Sequence, residues 1–158
     1  MLDGEGFHAR LGVIGGGNEE QVGACRDIVV AHAGTHLEGA LDRSALRQRM
    51  RQARAFVCPS LRESFGLVFI EALFAGLPIV YPKGTAVDGY FDGHDFAIAV
   101  DARDPRSIAL GMRRAIEEEA QLKASLARWQ GSAEARRFQR ASIGEAFASG
   151  LRMAATAG

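Results

Sequence analysis

The chain has 158 residues, long enough for one domain with a real core. Apolar residues make up 47% and charged residues 24%, the balance of a globular protein rather than a disordered one. Nineteen bases offset nineteen acids, so bulk charge speaks for no nucleic acid and no acidic partner. No apolar run approaches the ~20 residues of a membrane-spanning helix, and the opening MLDGEGFHAR is polar, unlike a secretory signal. Cys25 and Cys58 show no metal or redox spacing and read as isolated thiols of a reducing compartment. A single cytoplasmic α/β domain over residues 1–158 is expected.

In chain order, short apolar strands alternate with helical patterns, the signature of a parallel sheet covered by helices. Ala9 to Ile14 (ARLGVI) reads as a strand, followed by the turn Gly15-Gly16-Gly17. Asn18 suits a helix N-cap, with Gln21 three residues on and Glu19 and Glu20 in the first turn. The three glycines fall short of G-x-G-x-x-G, because Glu20 stands where the last glycine belongs, and a tight turn explains them better. Ile28 to Ala33 (IVVAHA) reads as a second strand closed by Gly34. Asp42 to Ala53 is amphipathic, with Leu46, Met50 and Ala53 at i, i+4, i+7. Ala55 to Cys58 reads as a third strand ended by Pro59. Leu67 to Ala75 reads as a helix stopped by Gly76, Pro78 to Tyr81 as a fourth strand and Phe96 to Val100 as a fifth. From Asp104 two or three helices run to about Met153.

Two glutamates stand out in PSLRESFGLVFIEAL. Around Glu71 the helix reads LVFIEALFAG, apolar on nearly every side, which predicts burial. A buried carboxylate needs partners or a polar cleft. Gly66, at the expected N-terminus of this helix, would let a ligand approach free backbone N–H groups, and such an end attracts phosphate. Phosphates on the amides of Ser64 to Leu67 and ribose hydroxyls on Glu71 would suit a nucleotide diphosphate. The purely structural reading stays open beside it: Ser60-Leu61-Arg62-Glu63 matches a capping box, and Glu71 could pair with an internal Arg.

ARAFVCPSLRESFGLVFIEALFAGLPIVYP resembles the hallmark of the retaining glycosyltransferases of the GT-B fold, those of glycosyltransferase family 4. Their pattern is a strand ending in Pro-Ser, a Glu, Phe-Gly, a second Glu eight positions on, then Ala-Leu and Gly-x-Pro. LGVIGGGNEE and VVAHAGTHLEGALDRSALRQRMRQA resemble the family's second and third strand units, and GTAVDGYFDG stands in the place of its Gly-Gly-x-x-Glu loop. The resemblance implies a three-layer, Rossmann-like parallel sheet with C-terminal helices, as in the GT-B donor-binding domain. It gives Glu71 the donor ribose, places Glu63 against the donor sugar as the catalytic residue that stabilises charge near the reacting carbon, and gives Ser64, Phe65, Gly66 and Leu67 the segment whose amides hold sugar or phosphate. No metal and no cofactor are implied; the donor is a nucleotide diphosphate sugar, and its phosphate assists the incoming hydroxyl without a protein nucleophile.

Measured against the family, the acceptor-binding half is absent. So are the donor domain's first strand and helix, with their Arg and Lys for the diphosphate. In a sheet of order 3-2-1-4-5-6 the lost strand is central, so the strand at Ala9 would pair with that at Ala55 or leave open edges. A homodimer or a partner chain is expected to cover or fill this gap. Asp88 is the nearest acid to the family's loop glutamate. Three readings follow: a sugar-transferring half inactive alone, a non-catalytic nucleotide or nucleotide-sugar binding module, and a degenerate dimeric interaction protein.

Elsewhere the bland reading prevails. Arg43, Arg47, Arg51 and Arg54 form a solvated face, with anionic lipid or a partner as the alternative. His32 and His36, a strand and a loop residue, do not share a helical face for metal. His8 and His94 read as exposed, Lys83 as a surface residue that could meet phosphate, and Trp129 as packing rather than a sugar platform.

Overall fold

The computed structural model describes residues 9–85 and 87–156. His8 therefore lies outside the described residues. The contacts fall into two compact units, residues 1–53 and residues 54–158.

The first unit is a βαβα run. β1 (Leu11–Ile14) and β2 (Thr35–Gly39) pair in parallel, with Leu11 opposite Thr35 and Val13 opposite Leu37 before the register slips at Ile14. α1 (Glu19–Val30) crosses between them. Its start is the expected capping box: Asn18 Oδ1 accepts the N–H of Gln21 at 2.8 Å, and the Asn18 N–H reaches Gln21 Oε1 at 3.3 Å. α2 (Arg43–Gln52) is capped by Asp42, whose Oδ1 accepts from Ser44 and Ala45, both at 2.8 Å.

The strand expected over Ile28 to Ala33 is not there. Ile28 and Val30 end α1 and are 64% and 79% exposed. The β-branched run suggested a strand, but a helix nucleated by a strong cap runs through such residues at a cost of a few tenths of a kcal/mol each. The strand begins after Gly34, whose φ of +81° turns the chain back and whose carbonyl accepts from Leu11 at 2.9 Å. The roles of two histidines are thereby exchanged: His36 is the strand residue, and His32 lies in the turn before it.

The second unit is an α/β sandwich. β3 (Phe56–Val57), β4 (Ile79–Pro82) and β5 (Ala97–Val100) form a parallel sheet in that order, with β4 buried throughout. α3 (Leu67–Phe74) covers one face, its Phe69 ring meeting Phe56 at 5.7 Å and Tyr81 at 6.4 Å. α4 (Pro105–Glu117) covers the other. A Cβ on its Gly111 would stand 2.6 Å from Val100 Cγ1 and 3.1 Å from Val80 Cγ1, so glycine lets helix and sheet approach. The unit is three-layered as expected.

α5 (Glu119–Gln130), α6 (Ala133–Arg136) and α7 (Arg140–Thr156) complete it, one helix more than the two or three expected. Trp129, 4% exposed, is the hub of an aromatic cluster with Phe74, Phe91, Phe96 and Phe138, so it is packing.

The α/β class stands, with parallel strands in each unit. Among the described strands β1 pairs with β2 and β3 with β4, and the orders are β1-β2 and β3-β4-β5. No described helix is long and apolar enough to cross a membrane.

Candidate functional site

The site grows from the connection between β3 and α3. β3 is held by Phe56 N–H on Pro78 O at 2.9 Å, and just beyond it the Cys58 N–H reaches Val80 O at 3.1 Å. Burial, with the nearby charge of Glu63, pushes the Cys58 thiol up. Cys25 and Cys58 are both free thiols.

Ser60 does not start a helix. Its hydroxyl donates to Arg62 O at 2.8 Å and accepts the Arg62 N–H at 3.3 Å, a local turn, so the capping-box reading of Ser60 to Glu63 is corrected. The helix begins six residues later at Gly66, which has φ +83° and provides no side-chain cap. Glu63 folds onto this entrance: its Oε1 accepts the N–H of Ser64 at 3.1 Å and of Gly66 at 3.0 Å. Two of the amides expected to hold an anion thus already carry one.

Gly66 could be nothing else. Beyond its left-handed backbone, a Cβ would lie 2.6 Å from Val87 Cγ1 and 2.8 Å from Phe69 Cδ2. Phe65 is 45% exposed, its ring edge-on to Tyr90 at 6.4 Å. Phe65, Ile70, Val87, Tyr90, Phe91 and Phe138 close up with no room for a water molecule between them.

Glu71 is not buried. α3 buries Phe69, Ile70, Ala72 and Leu73, while Leu67, Glu71 and Phe74, at i, i+4, i+7, form an exposed face. Leu67 is 66% and Phe74 40% exposed. The apolar composition of LVFIEALFAG hid this face, because two of its three residues are themselves apolar. The inference that a desolvated carboxylate must be kept for sugar hydroxyls therefore falls. What stands is an exposed carboxylate one turn into α3, beneath Leu67, on a helix whose entrance carries Glu63.

Val87 and Asp88 belong to the Gly84–Gly93 loop, of which Ala86 lies outside the described residues. Asp88 Oδ2 accepts the Gly84 N–H at 2.7 Å, and its Oδ1 lies 3.4 Å from the Tyr81 hydroxyl. This acid is spent on its own loop. Burial, reinforced by the charges of Asp88 and Asp92, pushes the Tyr81 phenol up to about 12. The bracing roles of Tyr81 and Val87 had no local signal in the sequence.

The remaining candidates sort simply. His94 is half-buried rather than exposed: it stacks on Phe96 at 4.9 Å, and its Nε2 lies 3.0 Å from Glu134 Oε2. Lys83 is exposed. Arg43, Arg47 and Arg51 lie on the exposed side of α2, whereas Arg54 pairs with Glu119. Unforeseen was Arg49, which grips Glu38 through Nε at 2.8 and 2.7 Å and through Nη2 at 2.5 Å, with His36 beside it at 2.9 Å from Glu38. Gly12 makes room for that carboxylate, since a Cβ there would stand 2.4 Å from Glu38 Oε1. No group of three described His, Cys, Asp or Glu residues could hold a metal ion.

Comparison with known proteins bears on this geometry. The family described as "Glycosyl transferases group 1" matches residues 7–134. The D-inositol 3-phosphate glycosyltransferase of Corynebacterium jeikeium (strain K411) is 37% identical over 94 residues, which are 54% of this chain and 22% of that protein. Among solved structures, sucrose-phosphate synthase from Thermosynechococcus elongatus superposes with a TM-score of 0.76 at 19% identity, covering 94% of this chain and 39% of that one. TarM gives 0.69 at 14% identity, covering 94% and 29%. WaaG, a glycosyltransferase involved in lipopolysaccharide biosynthesis, gives 0.60 at 18% identity, covering 82% and 33%. The chain thus spans between about a fifth and two fifths of the length of these relatives.

Proposed function

This chain belongs to the glycosyl transferases group 1 family, and from that premise we propose that it is the donor-binding part of a retaining glycosyltransferase. Its ligand is a nucleotide diphosphate sugar, it works in the cytoplasm, and transfer requires a second chain or an acceptor domain.

One observation carries the reading: α3 opens on a left-handed glycine, with the Glu63 carboxylate folded onto the Ser64 and Gly66 amides and Glu71 one turn in on the exposed face. Beyond the two amides that Glu63 occupies, the N–H groups of Leu67 and Val68 and the helix dipole offer a place to a diphosphate. The Glu71 carboxylate is an acceptor that can form charge-assisted hydrogen bonds with ribose hydroxyls. Glu63, adjacent to the same amides, supplies negative charge beside the sugar carbon, where positive charge develops as the donor bond breaks. The departing phosphate takes the acceptor's proton, so no side chain of this unit acts as a nucleophile.

A specific observation favours binding without turnover as the second reading. Asp88, in the place of the family's loop glutamate, has its oxygens engaged by Gly84 and Tyr81. A donor sugar would lose that contact while the nucleotide kept its own.

A thermal-shift panel of UDP, GDP, ADP and their sugars tests the proposal. A nucleotide at ~100 times its dissociation constant stabilises by about 2.7 kcal/mol, and Glu71→Ala should abolish the shift without loss of the fold. No shift with any nucleotide would remove the donor-binding reading. Equal shifts by a nucleotide and its sugar would select the second reading over the first.

A further inference from the structure

The mouth of α3 holds an anion of the chain's own. Glu63 is half-buried, and a single oxygen, Oε1, accepts both the Ser64 N–H at 3.1 Å and the Gly66 N–H at 3.0 Å. Its other oxygen has no hydrogen-bond partner among the described residues, and no described Lys, Arg or His pairs with the carboxylate. Backbone N–H groups therefore answer its charge by themselves. The N–H of Phe69 is taken by Gly66 O at 2.9 Å, whereas those of Leu67 and Val68 carry no hydrogen bond among the described residues. A diphosphate on Leu67 and Val68 would bring its charges within one turn of Glu63. Like charges this close repel, and both draw on the same helix dipole.

We infer that Glu63 is an autoinhibitory contact: its carboxylate is the resident anion of this helix end, and a diphosphate binds by expelling it from the amides of Ser64 and Gly66. The tether makes the acid an intramolecular competitor, at an effective concentration of about the mM range. A simple anion with one charge cannot outbid it below that concentration. A diphosphate can, because it carries more charge and enough acceptor oxygens for all four N–H groups. The hold is also light to release, since one oxygen makes both bonds and no cation anchors the other. Once expelled, the carboxylate is free to turn to the hydroxyls of the ligand. The inference rests on the donor-binding reading of this site, and inorganic pyrophosphate, which has no base and no sugar, separates the two.

Amide NMR of the whole chain, titrated with inorganic pyrophosphate and then with UDP, GDP and ADP, reads the exchange. The resonances of Ser64 and Gly66 should move together with those of Leu67 and Val68, and the Glu63 carboxyl carbon with them. Removing the competitor should help the ligand. Glu63→Gln keeps an acceptor oxygen without the charge and should bind pyrophosphate roughly fivefold tighter than the parent, the worth of one cap interaction. Glu63→Ala should gain at least as much, and added salt should shrink both gains. Glu117→Gln removes the same charge from an exposed position on α4, across the sheet, and should bind as the parent does. Movement of Leu67 and Val68 with Ser64 and Gly66 unmoved would overturn the inference and leave the donor-binding reading standing. Pyrophosphate binding no tighter in Glu63→Gln than in the parent would overturn it too, as would failure of pyrophosphate to bind either protein. Exchange by pyrophosphate with no response to any nucleotide would uphold the inference and remove the donor-binding reading.

Discussion

The carboxylate of Glu63 accepts the backbone N–H of Gly66 at 3.0 Å, so an acid of the chain itself closes the mouth of α3. With the second bond from Ser64 it does the work of an N-cap that Gly66 cannot do. Glu63→Ala should cost about 1 kcal/mol, as loss of an N-cap does, lowering the melting temperature by roughly 2–4 °C in a chain of this size. Glu63→Gln keeps an acceptor oxygen and should lose less than half of that. Calorimetry of the three proteins decides it, and an unchanged melting temperature for the Ala variant would show that the loop does not rest on these bonds.

Gly66 and Gly76 separate two costs of replacing a left-handed glycine. Both have positive φ, +83° and +86°, but a Cβ at Gly76 meets nothing within 4 Å, whereas at Gly66 it collides with Val87 and Phe69. Gly76→Ala should cost the backbone term, about 1–2 kcal/mol. Gly66→Ala adds an overpacking term of about 1–3 kcal/mol. Urea unfolding should give a midpoint clearly lower for Gly66→Ala at unchanged slope, and equal midpoints would deny the packing between α3 and the Gly84–Gly93 loop.

How far the sequence spoke for the fold depends on whether each signal was local. The caps at Asn18, Asp42 and Asp104 are short-range hydrogen bonds and could be foreseen from neighbouring residues. The error over Ile28 to Ala33 came from composition, because β-branched residues at a helix end look like a strand until the turn glycine is placed. Glu71 was misjudged for a similar reason: apolar residues on a helix reveal its buried face only when some other face is polar. Which strands pair within each unit follows from tertiary packing, which no local pattern records. Within the candidate site, the Glu63 to Leu67 segment was legible as a motif. Its brace by Val87 and the capture of Asp88 by Gly84 were not, since they join residues whose relation only the folded loop creates.

Tyr81 should make the protein sensitive to alkali. Its phenol, 3% exposed and facing Asp88 and Asp92, ionises at about 12 in the fold against an ordinary 10.0. A folded value raised above the unfolded one leaves stability untouched below pH 10 and removes it as pH climbs from 10 to 12, because the unfolded chain gives up the proton first. The loss approaches about 2–3 kcal/mol by the top of that window. Melting temperatures between pH 8 and 11.5 should fall more steeply for the parent than for Tyr81→Phe, and parallel curves would refute the assignment.

The first unit should open before the second. β1 and β2 form a sheet of two strands with half-buried residues, and Met50 is its one buried position among the described residues. Two strands alone are marginal in water, whereas β4 and β5 lie between helix layers over a buried core. Native-state hydrogen exchange should therefore give lower protection for Val13 and Leu37 than for Val80 and Ile98. Acid should widen the gap. Arg49, hydrogen-bonded to Glu38, holds that carboxyl below its ordinary 4.5. A lowered folded value contributes stability above pH 4.5 that is lost as pH falls through it. Protection factors of β1 and β2, corrected for intrinsic rates, should drop below pH 4.5 in the parent and change less in Glu38→Gln, which has no such proton to gain. Equal protection in the two units at pH 7, or the same acid response in the variant, would show that the first unit draws its stability from somewhere other than this ion pair.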